Sequence, residues 1–435
     1  MKLSRYLYFV EWNHFYFGVN LMTGCKVFLR EKEYRHLHEM ATAAIPVDLL
    51  ENLKEGHFLI ADDVDEFEVL KLRHNISVYV DDYKYRMTIM PTLDCNLNCW
   101  YCYEKHIDSR MNEETMDRIV RYTEHLFQSH KVRDFLLDWF GGEPLLYFDE
   151  VLYPLSLRLQ ELAKRYGVHF SNSITTNGVL INQNRINKFK DIQLNGFQIT
   201  IDGNRACHDK SRIGKDKKGT YDIIVRNVND IHRKMPDAHI SVRTNYANKT
   251  LENIHEMIDE IDPTPKISFF MQRIWQNKEN PEEVEKVLDM IKKKINDRGN
   301  VYEDRYYSYG KGHHCYADSY NQVVVNYDGQ LYKCTARNFD KKTSVGFLDS
   351  EGHAQWNHRF YDRFQRIPFD NEKCRACPIV PVCLGACSQQ MWDDPGRLIS
   401  CDNTDKIKAL EDELYDGMLQ YIEQHTAVLG SASEL

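Results

Sequence analysis

Alternating apolar and polar positions divide the chain into stretches of different period. Within residues 1–84, Phe15–Val19 and Lys26–Leu29 read as short strands, with Thr23 and Gly24 forming the turn of a hairpin between them. Glu31–Met40 and Val47–Leu53 carry helical spacing, and a third helix is predicted at Asp63–Leu72 with Asp63 as its cap. From Tyr85 to about Asn300, short apolar runs alternate with amphipathic helices. The predicted strands are Met87–Met90, Phe135–Trp139, His169–Thr175, Gly196–Ile201, His239–Thr244 and Lys266–Met271. Asn112–His130, Val151–Tyr166 and Thr250–Ile261 are among the helices predicted between them. Such alternation implies an α/β fold, a parallel sheet with helices outside. Six repeats suit an open, partial (β/α)6 barrel better than a closed eightfold one. Pro281–Asn300 is a further charged helix leading out of the barrel. Residues 301–402 hold few long periodic segments and too little apolar surface to be stable without cross-links. Thr404–His425 closes the chain as an amphipathic helix, followed by a tail expected to fray.

Composition narrows the field. With 435 residues, of which 42% are hydrophobic, the chain can bury a sizeable core. A net charge of −9 offers no dominant basic face, so nucleic acid is not an expected partner. No apolar run approaches the ~18–20 residues that span a bilayer, so no membrane partner is expected. The apolar patch Tyr6–Val10 is too short for the core of a signal peptide and lacks a small-residue cleavage site. A cytoplasmic location is the expectation.

Cysteine placement changes the picture most. Of the 12 cysteines, all but Cys25 and Cys207 fall in three tight groups. A secreted disulfide protein scatters its cysteines and carries a signal sequence; these groups point instead to metal or iron–sulfur ligation. The first group, Cys95-x3-Cys99-x2-Cys102, lies just after the first predicted barrel strand. Three thiolates on one loop can hold three irons of a [4Fe–4S] cube and leave the fourth iron open to a ligand. Zinc is the alternative, but it calls for a matched fourth ligand, and none is obvious nearby. Gly141-Gly142-Glu143-Pro144 follows the second strand. Its glycines let backbone approach a ligand closely; otherwise this is a strand-to-helix turn with Glu143 as an N-terminal helix charge. Thr175-Thr176-Asn177-Gly178 ends the third strand and Thr200-Ile201-Asp202-Gly203 the fourth, with Arg212 soon after. Strand-end caps and a surface salt bridge would account for these residues too. Their placement at C-terminal strand ends, where barrel chemistry collects, favours a site.

The cysteine loop, with the aromatic Tyr101 before its third cysteine, resembles the radical S-adenosylmethionine superfamily. The resemblance implies that the methionine amino and carboxylate groups chelate the open iron. One-electron cleavage of the sulfonium then gives a 5′-deoxyadenosyl radical that abstracts hydrogen from a substrate. It also implies cofactor contacts: Gly141, Gly142 and Glu143 at the methionine amino group, Thr200 at the ribose, Arg212 at the carboxylate, with Tyr101, Thr176 and Asn177 beside them.

Further on, Cys315 and Cys334 precede the run Cys374-x2-Cys377-x5-Cys383-x3-Cys387, and Cys401 follows it. This order resembles the SPASM extension of radical enzymes that modify peptides and proteins. That resemblance implies two auxiliary [4Fe–4S] clusters, three in all. Cys374, Cys377, Cys383 and Cys401 would hold the distal one; Cys315, Cys334 and Cys387 the nearer one. The nearer cluster then keeps an open iron or takes His313, His314 or Asp318; paired zinc ribbons are the alternative for this segment. Residues 1–84 resemble the winged-helix-like peptide-recognition domains of ribosomal peptide pathways, which bind a leader by strand addition; a barrel-capping domain without a ligand is the plainer reading. The expected organisation is thus 1–84 leader recognition, 85–300 radical barrel, 301–402 auxiliary clusters and 403–435 helix and tail. The expected function is a peptide maturase forming a thioether or carbon–carbon cross-link on a precursor peptide, with a flavodoxin or ferredoxin as electron donor. An anaerobic sulfatase maturase is the second enzyme reading; Thr335 stands where that family has an aspartate. A non-catalytic iron–sulfur carrier would not need the glycine-rich and ribose motifs.

Overall fold

A computed structural model describes residues 1–393 apart from 81–82, 130, 252, 275–280, 304–313, 337–338 and 386, together with 411–412, 414–415 and 417. The side chains of 248–249, 281–283, 285 and 393 are likewise left undescribed. The chain divides into two compact units, each discontinuous in sequence: Met1–Val80 with Tyr306–Ser319 and Phe364–Leu435, and Asp81–Arg305 with Tyr320–Arg363. The stretch expected as one cluster module, 301–402, is therefore shared between the two.

In the first unit, β1 (Lys2–Leu3) pairs with β5 (Leu59–Ile60), and β2 (Leu7–Trp12), β3 (Phe15–Asn20) and β4 (Lys26–Arg30) form an antiparallel sheet. The expected hairpin is β3–β4. The apolar patch ahead of it is a further strand, β2, which the sequence reading missed. Asn13 and His14 make the two-residue turn between β2 and β3 with positive φ of 46° and 66°, the twist that suits a tight hairpin. Helices Glu31–His38 (α1), Val47–Glu55 (α2) and Glu66–Asn75 (α3) follow. The cap of α3 is Asp65, not Asp63: its carboxylate accepts from the backbone N–H of Phe67 and Glu68 at 3.0 and 3.3 Å. Asp63 lies too far ahead of the first turn to reach those donors. Tyr6, Phe17, Val19, Phe67 and Leu70 share one buried core with Phe369, Ile379 and Val380. Cys374, Cys377 and Cys383, on short helical turns, pack against that core.

The second unit is built on one 11-stranded sheet. β6 (Lys84–Ile89), β7 (Asp134–Trp139), β8 (His169–Thr176), β9 (Leu194–Thr200), β10 (His239–Tyr246), β11 (Ile267–Arg273) and β12 (Val301–Tyr302) run parallel in sequence order. All six predicted barrel strands are present, their ends shifted by up to three residues. On the other side of β6, β13 (Gln322–Val325) adds in parallel, and β14 (Gln330–Tyr332), β15 (Gly346–Leu348) and β16 (Ala354–Trp356) continue as an antiparallel meander. The sequence reading drew no strands here and assigned these residues to the auxiliary-cluster segment. Residues 322–325 are all buried, the signature of an interior strand, and β6 is their partner. β12 and β16 end the sheet unpaired with each other, so the barrel is partial.

Helices Glu113–Gln128 (α4), Tyr153–Tyr166 (α5) and Gln183–Asp191 (α6) follow β6, β7 and β8; Arg205–Ser211 (α7) and Tyr221–Lys234 (α8) both follow β9. Asn112, Asn182 and Asn204 cap α4, α6 and α7 by accepting from a backbone N–H three residues on. The predicted closing helix, Thr404–His425, lies mostly outside the described residues.

Candidate functional site

A solvent-open cleft sits at the C-terminal ends of β6–β11. Cys95, Cys99 and Cys102 line it together with Tyr101, Gly141, Gly142, Thr176, Asn177, Thr200 and Arg212. Of the expected barrel-site residues only Glu143 is not in the wall; its carboxylate is buried behind it.

The cysteine loop is seated by the glycines. Gly142 N–H donates to Thr92 C=O at 3.2 Å and Glu143 N–H to Asp94 C=O at 2.8 Å. Gly141 has φ +116°, and a Cβ there would stand 2.3 Å from Thr92 O. A Cβ on Gly142 would stand 2.1 Å from Asp94 O. The close approach that demands glycine is thus to the cysteine loop's own backbone. Glu143 joins the next strand end: its carboxylate accepts from Leu145 N, Asn177 N and Thr176 Oγ1 at 3.0, 2.8 and 2.7 Å. Burial raises its pKa, and those donors oppose the rise. Its carboxylate therefore serves as an internal tie between β7 and β8 rather than as a surface helix charge. Asn177 reaches back to the loop, donating to Asn96 Oδ1 at 2.7 Å and lying 3.8 Å from Cys95 Sγ.

The opposite wall comes from β9 and α7. Arg212 is 8% exposed, and its Nη1 donates to Tyr101 Oη at 2.6 Å. Tyr101 in turn donates to Asp202, which also accepts from Asn245 N at 3.0 Å. Burial works against the Arg212 charge, but Cys99, Tyr101 and Asp202 outweigh it and hold its pKa above the ordinary value. Behind Arg212, His208 is fully buried; its Nδ1 accepts from Asp202 N–H at 3.2 Å and its Nε2 faces Thr220 Oγ1 at 3.1 Å. Burial, reinforced by Arg212, pushes the imidazole down to about 3, so it is neutral near pH 7. Asp202, His208 and Asn245 were assigned no role from sequence; for Asp202 and Asn245 the signal available was a polar residue at a strand end, and His208, inside α7, gave none. Glu104 also lines the cleft, and burial pushes its carboxyl up to about 8.

As free thiols the three loop cysteines are held up by burial, Cys95 to about 12. Among the described residues no three His, Cys, Asp or Glu side chains converge closely enough for a single metal ion. A [4Fe–4S] cluster with one open iron needs three protein thiolates, and Cys95, Cys99 and Cys102 offer three on one wall of the cleft. Leu97 N–H, 3.5 Å from Cys95 Sγ, offers a hydrogen bond of the kind that stabilises a ligating thiolate. The Arg212 Nε–H is buried at the cleft without a partner, a donor suited to a ligand carboxylate.

The remaining cysteines fall in different places. Cys334 is buried in the barrel unit, just past β14. Cys315, Cys374, Cys377, Cys383 and Cys387 belong to the other unit, where Asn371 Nδ2 donates to Cys374 Sγ at 3.3 Å. His314 Nδ1 bonds Ser77 Oγ at 2.7 Å. Cys401 and His313 lie outside the described residues. No helix of the described residues is long and apolar enough to cross a membrane.

Comparison with known proteins agrees with this geometry. The serine-type anaerobic sulfatase-maturating enzyme of Klebsiella aerogenes is 26% identical over 321 residues, covering 67% of this chain and 76% of that one. The solved structure of native anSMEcpe with bound AdoMet and Cp18Cys peptide has a TM-score of 0.55 at 15% identity, covering 80% of this chain and 98% of that one. Streptococcus suis SuiB bound to precursor peptide SuiA has a TM-score of 0.52 at 14% identity, covering 90% and 97%. Residues 89–261, from the end of β6 through the cysteine loop to the end of β10 and its helix, match the Radical SAM superfamily model, so this part of the chain is a Radical SAM domain.

Proposed function

We propose that this protein is a peptide maturase: it abstracts hydrogen from a ribosomally made precursor peptide and closes an oxidative cross-link, a thioether or a carbon–carbon bond. The observation that carries this reading is the single core shared by the N-terminal sheet-and-helix module and the turns bearing Cys374, Cys377 and Cys383. A module that holds a leader peptide and a segment that handles electrons are thereby one folded body. Among the described residues β2 and β4 of the N-terminal sheet each pair only with β3, leaving an edge to which an extended peptide can add. The SuiB fold also accounts for 90% of this chain, against 80% for anSMEcpe.

In this reading Cys95, Cys99 and Cys102 hold a [4Fe–4S] cluster, and S-adenosylmethionine lies across the cleft. When bound, the pair supplies a one-electron cleavage that yields a hydrogen-abstracting radical. The chain's own residues orient and shield it. Arg212 Nε–H receives the methionine carboxylate, the Tyr101–Asp202 pair holds the guanidinium in place, and Thr200 meets the ribose. Gly141, Gly142 and Glu143 keep the loop seated while it bears the cluster. Cys374, Cys377, Cys383 and Cys401 would hold one auxiliary cluster and Cys315, Cys334 and Cys387 another, taking up the electron released when the cross-link closes. A flavodoxin- or ferredoxin-type donor supplies the first electron.

A second reading, formylglycine formation on a sulfatase, is favoured by the 26% identity to the Klebsiella enzyme. Thr335 speaks against it, since it cannot take the proton that an aspartate there would accept. Incubation of the reconstituted enzyme with a candidate precursor peptide, and separately with a sulfatase-derived peptide, decides between them. Cross-linking removes two hydrogens and leaves nothing for a hydrazide probe to label; formylglycine is labelled. Deoxyadenosine formed by the Cys95→Ala/Cys99→Ala/Cys102→Ala variant would overturn both readings.

A further inference from the structure

Arg212 is held from two sides. Downstream, the chain pairs with the cysteine loop: Asn98 N–H donates to Ile213 C=O at 2.9 Å, Lys215 N–H to Asn96 C=O at 3.0 Å, and Leu97 bridges Gly214. Upstream, Arg212 N–H donates to His208 C=O at 2.7 Å at the end of α7. Because His208 Nδ1 accepts from Asp202 N–H, the proton of the neutral ring is on Nε2, which donates to Thr220 Oγ1 at 3.1 Å. That hydroxyl then has its own hydrogen free to donate to Arg212 C=O, at 2.9 Å. The chain of bonds therefore runs in one direction, from Asp202 N–H through His208 and Thr220 to the Arg212 carbonyl. Every member is buried: His208 is 0%, Asp202 1%, Thr220 6% and Arg212 8% exposed. One imidazole thus ties together the backbones of the two residues whose side chains meet at Tyr101.

We infer that His208 is a positioning residue for cofactor binding: through Thr220 and Asp202 it sets where the Arg212 guanidinium presents its unpartnered Nε–H to the carboxylate of S-adenosylmethionine. This rests on the reading of Arg212 as the carboxylate contact, and it adds a residue that touches neither cofactor nor cluster. A polar relay of this kind is worth more than a packing contact, because removing its centre leaves the buried Asp202 N–H without an acceptor and takes away the donor that orients the Thr220 hydroxyl. It should act on affinity and leave the cleavage step at saturation alone.

The test is titration calorimetry of S-adenosylmethionine into the full-length chain, anaerobically reconstituted with iron and sulfide. His208→Leu should weaken binding about tenfold and Thr220→Val a few-fold. The double variant should be no weaker than His208→Leu alone, since both interrupt one relay. His208→Asn, whose Oδ1 can replace Nδ1 as acceptor for Asp202 N–H, should recover part of the loss. Deoxyadenosine formation at saturating cofactor should stay within about twofold of the parent. Affinity unchanged in His208→Leu, or losses that simply add in the double variant, would overturn the inference. Should His208→Leu fail to fold, Thr220→Val carries the test, and unchanged affinity there overturns it equally. Arg212→Lys separates the two levels: if it binds as well as the parent, the reading of Arg212 fails; if it binds poorly while the His208 variants do not, only the relay fails.

Discussion

The loop of Cys95, Cys99 and Cys102 and the segment of Cys374, Cys377 and Cys383 hold their cysteines by different means. The first hangs from β6 and is tied by backbone hydrogen bonds to Gly142, Glu143, Ile213 and Lys215. Its neighbours are themselves fixed by strand ends. The second rides on helices of five and four residues, Glu372–Ala376 and Val380–Cys383, too short to be stable alone. Its support is apolar contact with the N-terminal core. Strand ends and backbone hydrogen bonds fix the first site. If the second holds the proposed auxiliary cluster, that cluster supplies part of its folding free energy.

That contrast can be broken in several ways. Removing iron with a chelator is expected to have the largest effect, and only on one side. Hydrogen exchange of residues 364–393 should rise by orders of magnitude while β6–β11 keep their protection; equal loosening of both would erase the distinction. Gly142→Ala attacks the barrel side: with Asp94 O at 2.1 Å from the new Cβ, the loop must shift. A cost of about 4 kcal/mol in urea unfolding, with loss of the radical cluster's spectrum, is expected.

His208 gives a pH signature confined to the barrel unit. Its folded pKa, about 3, lies below the ordinary imidazole value of 6.5, so between those values the folded ring binds fewer protons than the unfolded one. Stability from this group is therefore complete above pH 6.5 and lost as pH falls toward 3, at about 1.4 kcal/mol per unit. His208→Leu should flatten the acid limb of the stability curve; an unchanged limb would show that the ring does not titrate this way. Glu143→Gln replaces an acceptor-only group facing three donors with an amide that must turn an N–H toward one of them. A loss of about 2 kcal/mol is expected, measured by the same unfolding curves. Lys215→Ala removes a half-exposed ion pair with Asp94 at 2.7 Å and should change stability by less than about 1 kcal/mol, a floor against which the other ties can be judged.

Much of this was legible from local pattern. Period and β-branched runs placed β6–β11, because each strand's burial is written in its own residues. The cysteine spacing marked the loop, and the glycine pair marked its seat. Other features were not visible that way. Tyr6–Val10 looked like an isolated apolar patch because Glu11 and the Asn13–His14 turn interrupt the alternation before β3 resumes it. Residues 322–325 looked like part of a cluster module because nothing local announces β6, more than two hundred residues earlier, as their partner.

By itself, then, the sequence determined the strands of the barrel and the wall residues of the cleft, both of which depend on residue type at short spacing. Tertiary structure alone decided the rest. It joined the N-terminal module to the turns of Cys374–Cys383 in one core, placed Glu143 as an internal tie, and set His208 behind Arg212 as the centre of a directed hydrogen-bond chain. Those outcomes depend on which distant groups share a buried volume, and in such a volume every polar atom must find a partner that no neighbouring residue supplies.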